Sequence, residues 1–360
     1  MYKAAIIGCG HRAPAHIEAY RHIPEAEVVA CCAPSPTRRE PLAAKYGLRA
    51  YADIGEMVRA EQPDIVHLVT WPSTRVELMT AVADLGVPLC TVEKPIATGV
   101  PDWRQLCALE ARAKTKFAVC HQVRWQPYLV KCQDALRSGR LGEVKFLDIS
   151  AGMNIAGQGT HTLNYGMSLV GDAPVVRVFG NAHGWDAKDP GHPGPATTEA
   201  YLTFANGVRG LWTSGYTSPR CGDPATTWQH VRVAAYAERG RTLYEEFGRW
   251  EVIGPAGEER GDYGGMDGWR ANNLLAQAGF HRAMFDWLAG SPSTSSGRGA
   301  SVPELVEGHR ASPGTSLKQS LHEWAVVLAL YQSALERRPI EMAEFAPPDD
   351  LVERFRGRMG

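Results

Sequence analysis

Three small residues near the start of the chain have the spacing of a turn that binds a pyrophosphate. Gly8, Gly10 and Ala13 fit the pattern G-x-G-x-x-G/A. Gly8 permits a tight turn, Gly10 lets the backbone approach a pyrophosphate, and Ala13 lets a helix pack closely on the preceding strand. His11 and Arg12 lie inside the motif and belong to the predicted site. An ordinary tight turn is the alternative, but a strand before the motif and a helix after it favour a nucleotide site.

The next predicted strand ends without the acid that normally binds the adenosine ribose. That acid is expected about 20 residues past the glycine turn, where this chain has Ala33. Alanine cannot accept hydrogen bonds from the ribose hydroxyls, whereas Ser35, Arg38 and Arg39 could contact a 2′-phosphate. Arginines at the start of a helix are also typical of a solvated surface. NAD and NADP therefore both remain open as cofactors, with a slight preference for NADP.

Two further strand ends carry residues that could do chemistry. Each follows a short apolar run, and the ligands of a parallel sheet bind at the carboxyl ends of its strands. The residues at these ends are Thr70, Trp71 and Pro72, and Glu93, Lys94 and Pro95. Lys94 could bind a substrate hydroxyl and share its proton, and a nearby oxidised nicotinamide would push the pKa of Lys94 down. A solvated surface lysine is the alternative interpretation.

The first third of the chain predicts the sheet that would position these residues. Short apolar runs alternate with helical patterns, as in βαβ units with a parallel sheet. The predicted strands are 3–7, 27–32, 64–70, 87–92 and 117–120, and the predicted helices include 51–59, 76–85 and 103–114.

The pattern becomes rich in strands beyond residue 121. Several of these strands alternate apolar and polar residues, which indicates a sheet with two different faces. A helix is predicted at 128–138, strands at 145–153, 175–185, 200–204, 208–216, 228–237, 241–247 and 250–253, and a helix at 271–289. Residues 291–314 are of low complexity and predict an inserted flexible loop without chemistry of its own.

A set of motifs follows one order along nearly the whole chain. They are the glycine turn with His16 beyond it, DIVHLVTWPS, EKPIA, HQVRW, SGRLGEV and EAYLTFANGVRGLW. Together they resemble the glucose–fructose oxidoreductase / inositol dehydrogenase family, often written Gfo/Idh/MocA, and Glu93-Lys94-Pro95 is the most specific of them. The resemblance implies an α/β protein with an N-terminal Rossmann dinucleotide-binding domain at residues 1–121. It also implies a C-terminal α/β domain at residues 122–360, with a large open, mostly antiparallel sheet for substrate binding and oligomerisation.

The resemblance further implies roles for particular residues. Lys94 corresponds to the family's catalytic lysine and Glu93 to a residue on the nicotinamide side. Gln122, Arg124 and Trp125 lie where family members contact the nicotinamide and the substrate. An ion pair that joins the two domains is an equally good explanation of Arg124.

His161 is the second predicted catalytic residue. The family's usual pattern is an acid, a histidine four residues later and an aspartate three residues after that. This chain has Gly157 and Asn164 in place of the two acids. Histidine readily takes a hydroxyl proton near neutral pH, but here Asn164 or Tyr165 would have to orient it. Both are also predicted to contact the substrate, and a helix-capping or core histidine is the alternative for His161.

Composition argues against several other classes of protein. With 360 residues, 44% of them hydrophobic, the chain can form two cores. A net charge of −1 predicts neither nucleic acid nor a membrane surface as a partner, and no apolar run is long enough for a membrane span. The first residues lack the basic start and the cleavage site of a signal peptide, so none is expected. The eight cysteines have no C-x-x-C spacing, and no group of His, Cys and Asp has metal-ligand spacing. We therefore expect buried thiols in a reducing cytoplasm, and no metal.

The resemblance predicts an NAD(P)-dependent oxidoreductase that moves hydride between a nicotinamide and a secondary alcohol of a sugar, cyclitol or derivative. Two alternatives are a redox-assisted glycoside-cleaving enzyme that retains its NAD, and a non-catalytic nucleotide-binding sensor or regulator. The open sheet that the resemblance implies also predicts a homodimer or homotetramer, because an uncovered apolar face is costly to leave in water.

Overall fold

The computed structural model of the protein describes residues 1–186, 191–219, 221, 226–290 and 312–359. Strands and helices alternate at first, and strands dominate later. The strands are β1 (Tyr2–Ile7), β2 (Ala26–Cys32), β3 (Arg49–Tyr51), β4 (Ile65–Leu68), β5 (Leu89–Val92), β6 (Lys116–Val119), β7 (Val144–Ala151), β8 (Val175–His183), β9 (Thr197–Phe204), β10 (Arg209–Gly215), β11 (Val231–Ala237), β12 (Gly240–Glu245), β13 (Arg249–Gly254), β14 (Gly257–Asp262) and β15 (Ile340–Glu341). The helices are α1 (Ala13–Ala19), α2 (Pro36–Tyr46), α3 (Ile54–Glu61), α4 (Arg75–Asp84), α5 (Val100–Arg112), α6 (Pro127–Arg137), α7 (Thr160–Ser168), α8 (Met266–Ala289), α9 (Leu317–Glu336) and α10 (Leu351–Met359).

The chain divides into two compact units, and each is built from separate stretches of sequence. Unit 1 comprises Met1–Glu93, Ala108–Gln126 and Asn273–Leu317. Unit 2 comprises Lys94–Cys107, Pro127–Asn272 and Lys318–Gly360.

Unit 1 contains a six-stranded parallel sheet in the order β3-β2-β1-β4-β5-β6. The residues of β4 and β5 are all buried, as are Ala4–Ile7 of β1. A central parallel strand needs apolar residues on both faces because helices cover both. This strand order is that of the doubly wound dinucleotide-binding fold. In that fold, ligands bind at the carboxyl ends of β1 and β4, because the connections that follow these two neighbouring strands run to opposite sides of the sheet.

Two apolar clusters pack along one face of this sheet, since Ala4 and Ile6 lie two residues apart in β1 and α1 contributes to both clusters. Ile6 and Cys31 pack with Ile17 of α1 and Leu42 of α2. In the second cluster, Ala4, Ile65 and Leu89 pack with residues of the C-terminal part of α8, including Phe280 and Met284. Helix α8 therefore completes the core of unit 1 although it begins 147 residues after the end of β6.

Unit 2 contains a nine-stranded sheet in the order β14-β13-β12-β11-β7-β10-β9-β8-β15. All neighbouring strands are antiparallel except β7 and β10, which are parallel. Helices α6 and α7 pack on this sheet, and the backbone N–H of Gly180 in β8 donates to Ser333 Oγ of α9. The structure thus confirms the predicted fold class, a Rossmann sheet and a second, mostly antiparallel sheet.

Some predicted elements differ in detail from the observed ones. The predicted helix 51–59 is instead the end of β3 followed by α3. A 3-10 turn (Thr227–Gln229) precedes β11, so the strand predicted from residue 228 begins at Val231. Strand β14 was not predicted. Residues 291–311 of the predicted inserted loop lie outside the described residues.

Among the described residues, no helix combines the length and the apolar character needed to cross a membrane.

Candidate active site

The turn between β1 and α1 shows why its first glycine is needed. Gly8 has a φ of +102°, and a Cβ added to it would lie 2.4 Å from the carbonyl oxygen of Val69. Any other residue would therefore strain both the backbone and the packing. A Cβ on Gly10, by contrast, would meet no described protein atom within 4 Å. The backbone at Gly10 is open to the close approach that a pyrophosphate requires.

Helix α1 begins directly after this turn. Arg12 is the residue that precedes the helix, and Pro14 occupies its first turn, where an N–H has no helical partner to lose. Ala13 is fully buried against the cluster that contains Ile6 and Cys31. A larger side chain at position 13 would separate the helix from the sheet. His11, the other residue inside the motif, is exposed.

The chain after β2 is held in place by Arg39, which the sequence suggested, with Arg38, as a contact of a 2′-phosphate. Arg39 Nη1 donates to the carbonyl oxygens of Ala33 at 3.2 Å and Pro34 at 2.7 Å. The hydroxyl of Ser35 lies 2.8 Å from that of Thr37. Arg38 is exposed. Arg39 is thus a backbone anchor, whereas the Arg38 side chain extends into solvent at the strand end where the ribose is predicted.

The chain after β4 forms a short 3-10 turn (Pro72–Thr74). Thr74 Oγ1 donates to Thr70 Oγ1 at 3.0 Å, while the Trp71 side chain is 59% exposed. Arg75 follows the turn and is almost fully buried, with Nη2 donating to the Thr70 carbonyl at 3.4 Å. Burial lowers the pKa of Arg75 to about 10, and the Glu93 carboxylate opposes this shift. No motif or spacing in the sequence singles out Arg75.

Glu93, at the end of β5, is paired with two residues of the glycine turn and α1. Its Oε1 lies 2.9 Å from His16 Nε2 and 3.4 Å from Arg12 Nε. His16 is buried, so its contact with Glu93 is protected from water. Unit 1 therefore brings Arg12 and Glu93 together, two residues that the sequence assigned to the cofactor. The part of His16 in this arrangement was not predicted.

The predicted residues Gln122, Arg124 and Trp125 form one 3-10 turn after β6. Gln122 Oε1 lies 3.7 Å from Cys120 Sγ. The Arg124 guanidinium is buried so close to Gly314 that a Cβ there would lie 2.5 Å from its central carbon. The Trp125 ring packs on α8, with its centre 5.3 Å from that of Phe280. Packing within unit 1 therefore accounts for the positions of Arg124 and Trp125.

Lys94 is the first residue of unit 2, and its ammonium is held by a backbone carbonyl. Lys94 Nζ donates to the carbonyl oxygen of Gly157 at 2.5 Å. Gly157 occupies the position of the acid that the family pattern leads one to expect, four residues before His161. The peptide bond between Lys94 and Pro95 is cis. The two predicted catalytic residues are thus connected through one short segment of backbone.

That segment is fixed by a buried asparagine. Asn154 Oδ1 accepts the Gly157 N–H at 2.8 Å, and Asn154 Nδ2 donates to Asp186 Oδ2 at 2.9 Å and to the His192 carbonyl at 3.1 Å. A single wide helical turn (Ile155–Gly159) leads from Asn154 into α7. The backbone that receives Lys94 is therefore held by side-chain hydrogen bonds of unit 2.

His161 is the second residue of α7 and is half-buried. Its ring stacks at 5.7 Å from that of Tyr165, one turn further along the helix. Asn164 Nδ2 donates to Oε1 of the buried Glu323 at 2.6 Å. The Tyr165 ring thus contacts the ring of His161, and its role in orienting His161 stays a prediction. Glu323 lies on α9, far from Asn164 in the sequence, so sequence spacing could not reveal their contact.

Folding also assembles a histidine cluster that sequence spacing does not show. His16, His67 and His281 come from α1, β4 and α8 and are all buried in unit 1. Their separation along the chain has no resemblance to a metal-binding motif, which explains why the sequence predicted no metal.

Comparisons with known proteins show which proteins this chain is similar to. Residues 2–121 match the family model described as oxidoreductase family, NAD-binding Rossmann fold, whose name is GFO_IDH_MocA. The curated D-apiose dehydrogenase of Paraburkholderia graminis is 27% identical to this chain, over 95% of this chain and 90% of that protein. The resemblance seen in the sequence is confirmed.

Solved structures share the fold over nearly the whole chain. An oxidoreductase from Agrobacterium radiobacter, in complex with NAD+, L-tartaric acid and magnesium, superposes with a TM-score of 0.75 at 20% identity. The match covers 95% of this chain and 98% of that one. A putative myo-inositol dehydrogenase from Sinorhizobium meliloti superposes with a TM-score of 0.71 at 20% identity, covering 95% and 100% of the two chains. At this identity the similarity shows the fold.

Proposed function

We propose, from the premise that residues 2–121 belong to the NAD-binding Gfo/Idh/MocA oxidoreductases, that this chain is a sugar or cyclitol dehydrogenase. It transfers hydride between a nicotinamide cofactor and a secondary alcohol. The relatives support this substrate class, since one is named D-apiose dehydrogenase and another inositol 2-dehydrogenase. The latter is 26% identical over 41% of this chain.

The contact between Lys94 and Gly157 is the observation that carries the proposed chemistry. It holds the ammonium of Lys94 beside the segment that leads into His161. In alcohol oxidation His161 accepts the hydroxyl proton, and Lys94 donates a hydrogen bond that polarises the hydroxyl oxygen. In the reverse reduction the same groups return the proton. The ring of Tyr165 supports that of His161. Asn164, also on α7, donates a hydrogen bond to Glu323 of α9.

The residues of unit 1 fit a dinucleotide. The open space at Gly10 accepts a pyrophosphate, and a Cβ there would point into it. Gly8, His11, Arg12 and Ala13 complete this part of the site. When bound, the nicotinamide supplies the hydride acceptor. Glu93, held by Arg12 and His16, is the proposed nicotinamide-side residue, and Thr70, Trp71, Pro72 and Gln122 lie at the neighbouring strand ends.

The ribose end of the site favours NADP slightly. Ala33 provides no carboxylate for the ribose hydroxyls, and Arg38 is exposed rather than committed to the backbone as Arg39 is. A 2′-phosphate would pair with the guanidinium of Arg38 and the hydroxyl of Ser35. A cytoplasmic location is proposed with this activity, because all eight cysteines carry free thiols, as in a reducing compartment.

A substrate screen tests the proposal. The purified chain is incubated with pentoses, hexoses, cyclitols and sugar acids, with NAD or NADP, and the reduced nicotinamide and the products are measured. We expect formation of a keto sugar or lactone in step with reduced cofactor. Product from a glycoside without net change in cofactor would establish the glycoside-cleaving alternative. Nucleotide binding without product from any compound would favour the sensor.

A further inference from the structure

The three buried histidines of unit 1 form a cluster that the proposed reaction does not use. His16, His67 and His281 are each at most 1% exposed. One ring nitrogen from each lies within 4.8 Å of those from the other two. Aromatic rings pack against them: the Tyr20 ring centre lies 5.8 Å from that of His67 and 5.2 Å from that of His281, and the Phe280 ring centre lies 5.5 Å from that of His281. Three imidazoles in such a core need partners for their nitrogen atoms, because an unsatisfied buried polar group costs about 1–3 kcal/mol.

Each imidazole has one nitrogen that is held by a neighbouring polar group. His16 Nε2 lies 2.9 Å from Glu93 Oε1, and His67 Nδ1 lies 2.6 Å from Thr91 Oγ1. His281 Nε2 lies 3.1 Å from the side-chain amide of Gln277. A carboxylate only accepts hydrogen bonds, so it places the proton of a neutral His16 on Nε2 and leaves a lone pair on Nδ1.

The opposite nitrogen has no partner among the described residues in two of the three imidazoles. Nδ1 of His16 and Nδ1 of His281 are buried and accept or donate no hydrogen bond within the described part of the chain. His67 Nε2 lies 2.7 Å from the hydroxyl of Tyr20. Neutral imidazole is the form that binds a metal ion.

We propose that this cluster is a structural zinc site with His16 Nδ1, His281 Nδ1 and His67 Nε2 as ligands. Zn–N bonds of about 2.0–2.1 Å place tetrahedral ligand atoms about 3.3 Å apart, so the nitrogens need only move closer together. The fourth position falls to the Tyr20 hydroxyl oxygen or to a water. Imidazole ligands suit Zn²⁺, whereas Mg²⁺ and Ca²⁺ require oxygen ligands.

The groups that hold the other nitrogens match the surroundings of known zinc sites. Ligating histidines usually donate their second N–H to a carboxylate or another oxygen. Glu93 and Thr91 provide these oxygens for His16 and His67. The Gln277 side-chain amide provides an oxygen for His281 once the amide group is rotated by 180°. Cys120 Sγ is compatible with both orientations of this amide, because it lies 3.5 Å from Gln277 Nε2 and 3.8 Å from Gln277 Oε1. Glu93 also offsets part of the charge of the ion.

Such an ion would join α1, β4 and the distant helix α8 within unit 1. A site this deeply buried binds its metal as the chain folds, and binding then contributes to folding free energy. The proposal therefore concerns assembly of unit 1, and it holds whether or not the substrate class proposed above is right.

Metal content tests the site. The full chain without an affinity tag is unfolded in denaturant with a chelator, refolded with or without Zn²⁺, and passed through a gel-filtration column in chelator. We expect about one Zn²⁺ to be retained per chain, together with a higher melting temperature than that of the metal-free sample. His67→Gln and His281→Gln should retain none. His22→Gln is the matched control, because His22 is an exposed histidine of the same unit, and it should behave like the parent.

Spectroscopy of the parent protein keeps the test decisive if a variant does not fold. Refolding with Co²⁺ should give the visible absorption of a tetrahedral ion, and X-ray absorption of the zinc form should show imidazole scattering from three ligands. A parent that retains no zinc overturns the proposal. So does a metal shell without three imidazoles, or retention by His281→Gln equal to that of the parent, since either would locate the ion elsewhere.

Discussion

Lys94 and His161 have different parts in the proposed reaction, and each can be removed separately. A positioned acid or base contributes about 10²–10⁴ in rate. Lys94→Ala and His161→Ala should therefore each lower kcat on that scale in steady-state assays. Cofactor affinity, measured by calorimetry, should stay near that of the parent because neither side chain belongs to the proposed pyrophosphate site.

Lys318→Ala is the matched control for this pair, since Lys318 is an exposed lysine of the same unit. It should leave kcat unchanged. If His161→Ala keeps kcat/KM within a few-fold of the parent throughout the neutral pH range, His161 is structural. Proton transfer would then have to pass to Lys94 or Tyr165.

The choice between NAD and NADP depends on single residues at the end of β2. Ala33→Asp introduces an acceptor for the ribose hydroxyls and repels a 2′-phosphate, so it should shift the affinity ratio toward NAD. Arg38→Ala should weaken NADP binding and leave NAD binding unchanged, because it removes a cation that only the 2′-phosphate would meet. Calorimetric titrations of each variant with NAD and with NADP give the ratio of the two affinities. A ratio that neither substitution moves would show that the ribose lies elsewhere.

At the scale of elements, the two glycines of the turn after β1 are needed for different reasons, Gly8 for folding and Gly10 for nucleotide binding. Gly10→Val adds a side chain where no described protein atom lies within 4 Å of the Cβ. The variant should therefore melt like the parent but bind nucleotide at least about tenfold more weakly, a loss of about 1.4 kcal/mol.

Gly8→Ala is the matched contrast for Gly10→Val. Its Cβ would collide with the Val69 carbonyl at a φ of +102°, so its melting temperature should fall. Unchanged nucleotide affinity in folded Gly10→Val would refute the assignment of the turn to the pyrophosphate.

His322 makes the contact between α9 and β8 sensitive to acid. Its Nε2 accepts the backbone N–H of Val175 at 3.0 Å, and burial lowers the pKa of His322 below 6.5 despite the opposing charge of Glu323. The unfolded chain thus binds more protons below pH 6.5. The stability contributed by neutral His322 is complete above that pH and is lost as the pH falls toward the lowered pKa.

His322→Gln offers an amide oxygen to the same N–H without titrating. Its urea midpoint should therefore fall less than that of the parent between about pH 7.5 and about pH 5.5. The exposed His22→Gln should follow the parent. Equal acid sensitivity of His322→Gln and the parent would contradict this account.

Prediction from sequence succeeded where an element carries its own pattern. The apolar runs of β1, β4 and β5 are buried on both faces, and this requirement is written in consecutive residues. It failed for β14, whose residues are mostly charged and exposed. That strand exists because it pairs with β13 at the edge of the sheet, and no local periodicity reports such pairing.

The candidate site divides in the same way. Gly8, Gly10 and Ala13 could be identified because one turn contains them all. The pairing of Glu93 with His16, the contact of Lys94 with the Gly157 carbonyl and the bond from Asn164 to Glu323 join residues from 63 to 159 positions apart. Spacing does not encode such contacts. The family resemblance selected Lys94 and His161, but it could not name their partners.

At the scale of the whole molecule, the sheet of unit 2 has one covered and one open face. Helices α6, α7 and α9 lie on the covered face. On the open face, Phe179 of β8 and Tyr201 of β9 are directly paired and are 46% and 63% exposed. Tyr236 of β11 is paired with Phe146 of β7 further along the sheet. Aromatic residues spread over one open sheet face are typical of a surface that a second subunit covers.

We therefore expect a dimer or tetramer that buries this open face. A charge placed at its centre should break the contact, since an unpaired buried charge is costly. Tyr201→Arg should give monomers by light scattering at micromolar concentration, while the parent has the mass of two or four chains. Leu275→Arg is the control because Leu275 is an exposed apolar residue of unit 1 and not part of the sheet of unit 2, and it should leave the mass unchanged. A parent that is monomeric at this concentration, or an unaltered mass in Tyr201→Arg, would show that the open face is not the surface through which the chain assembles.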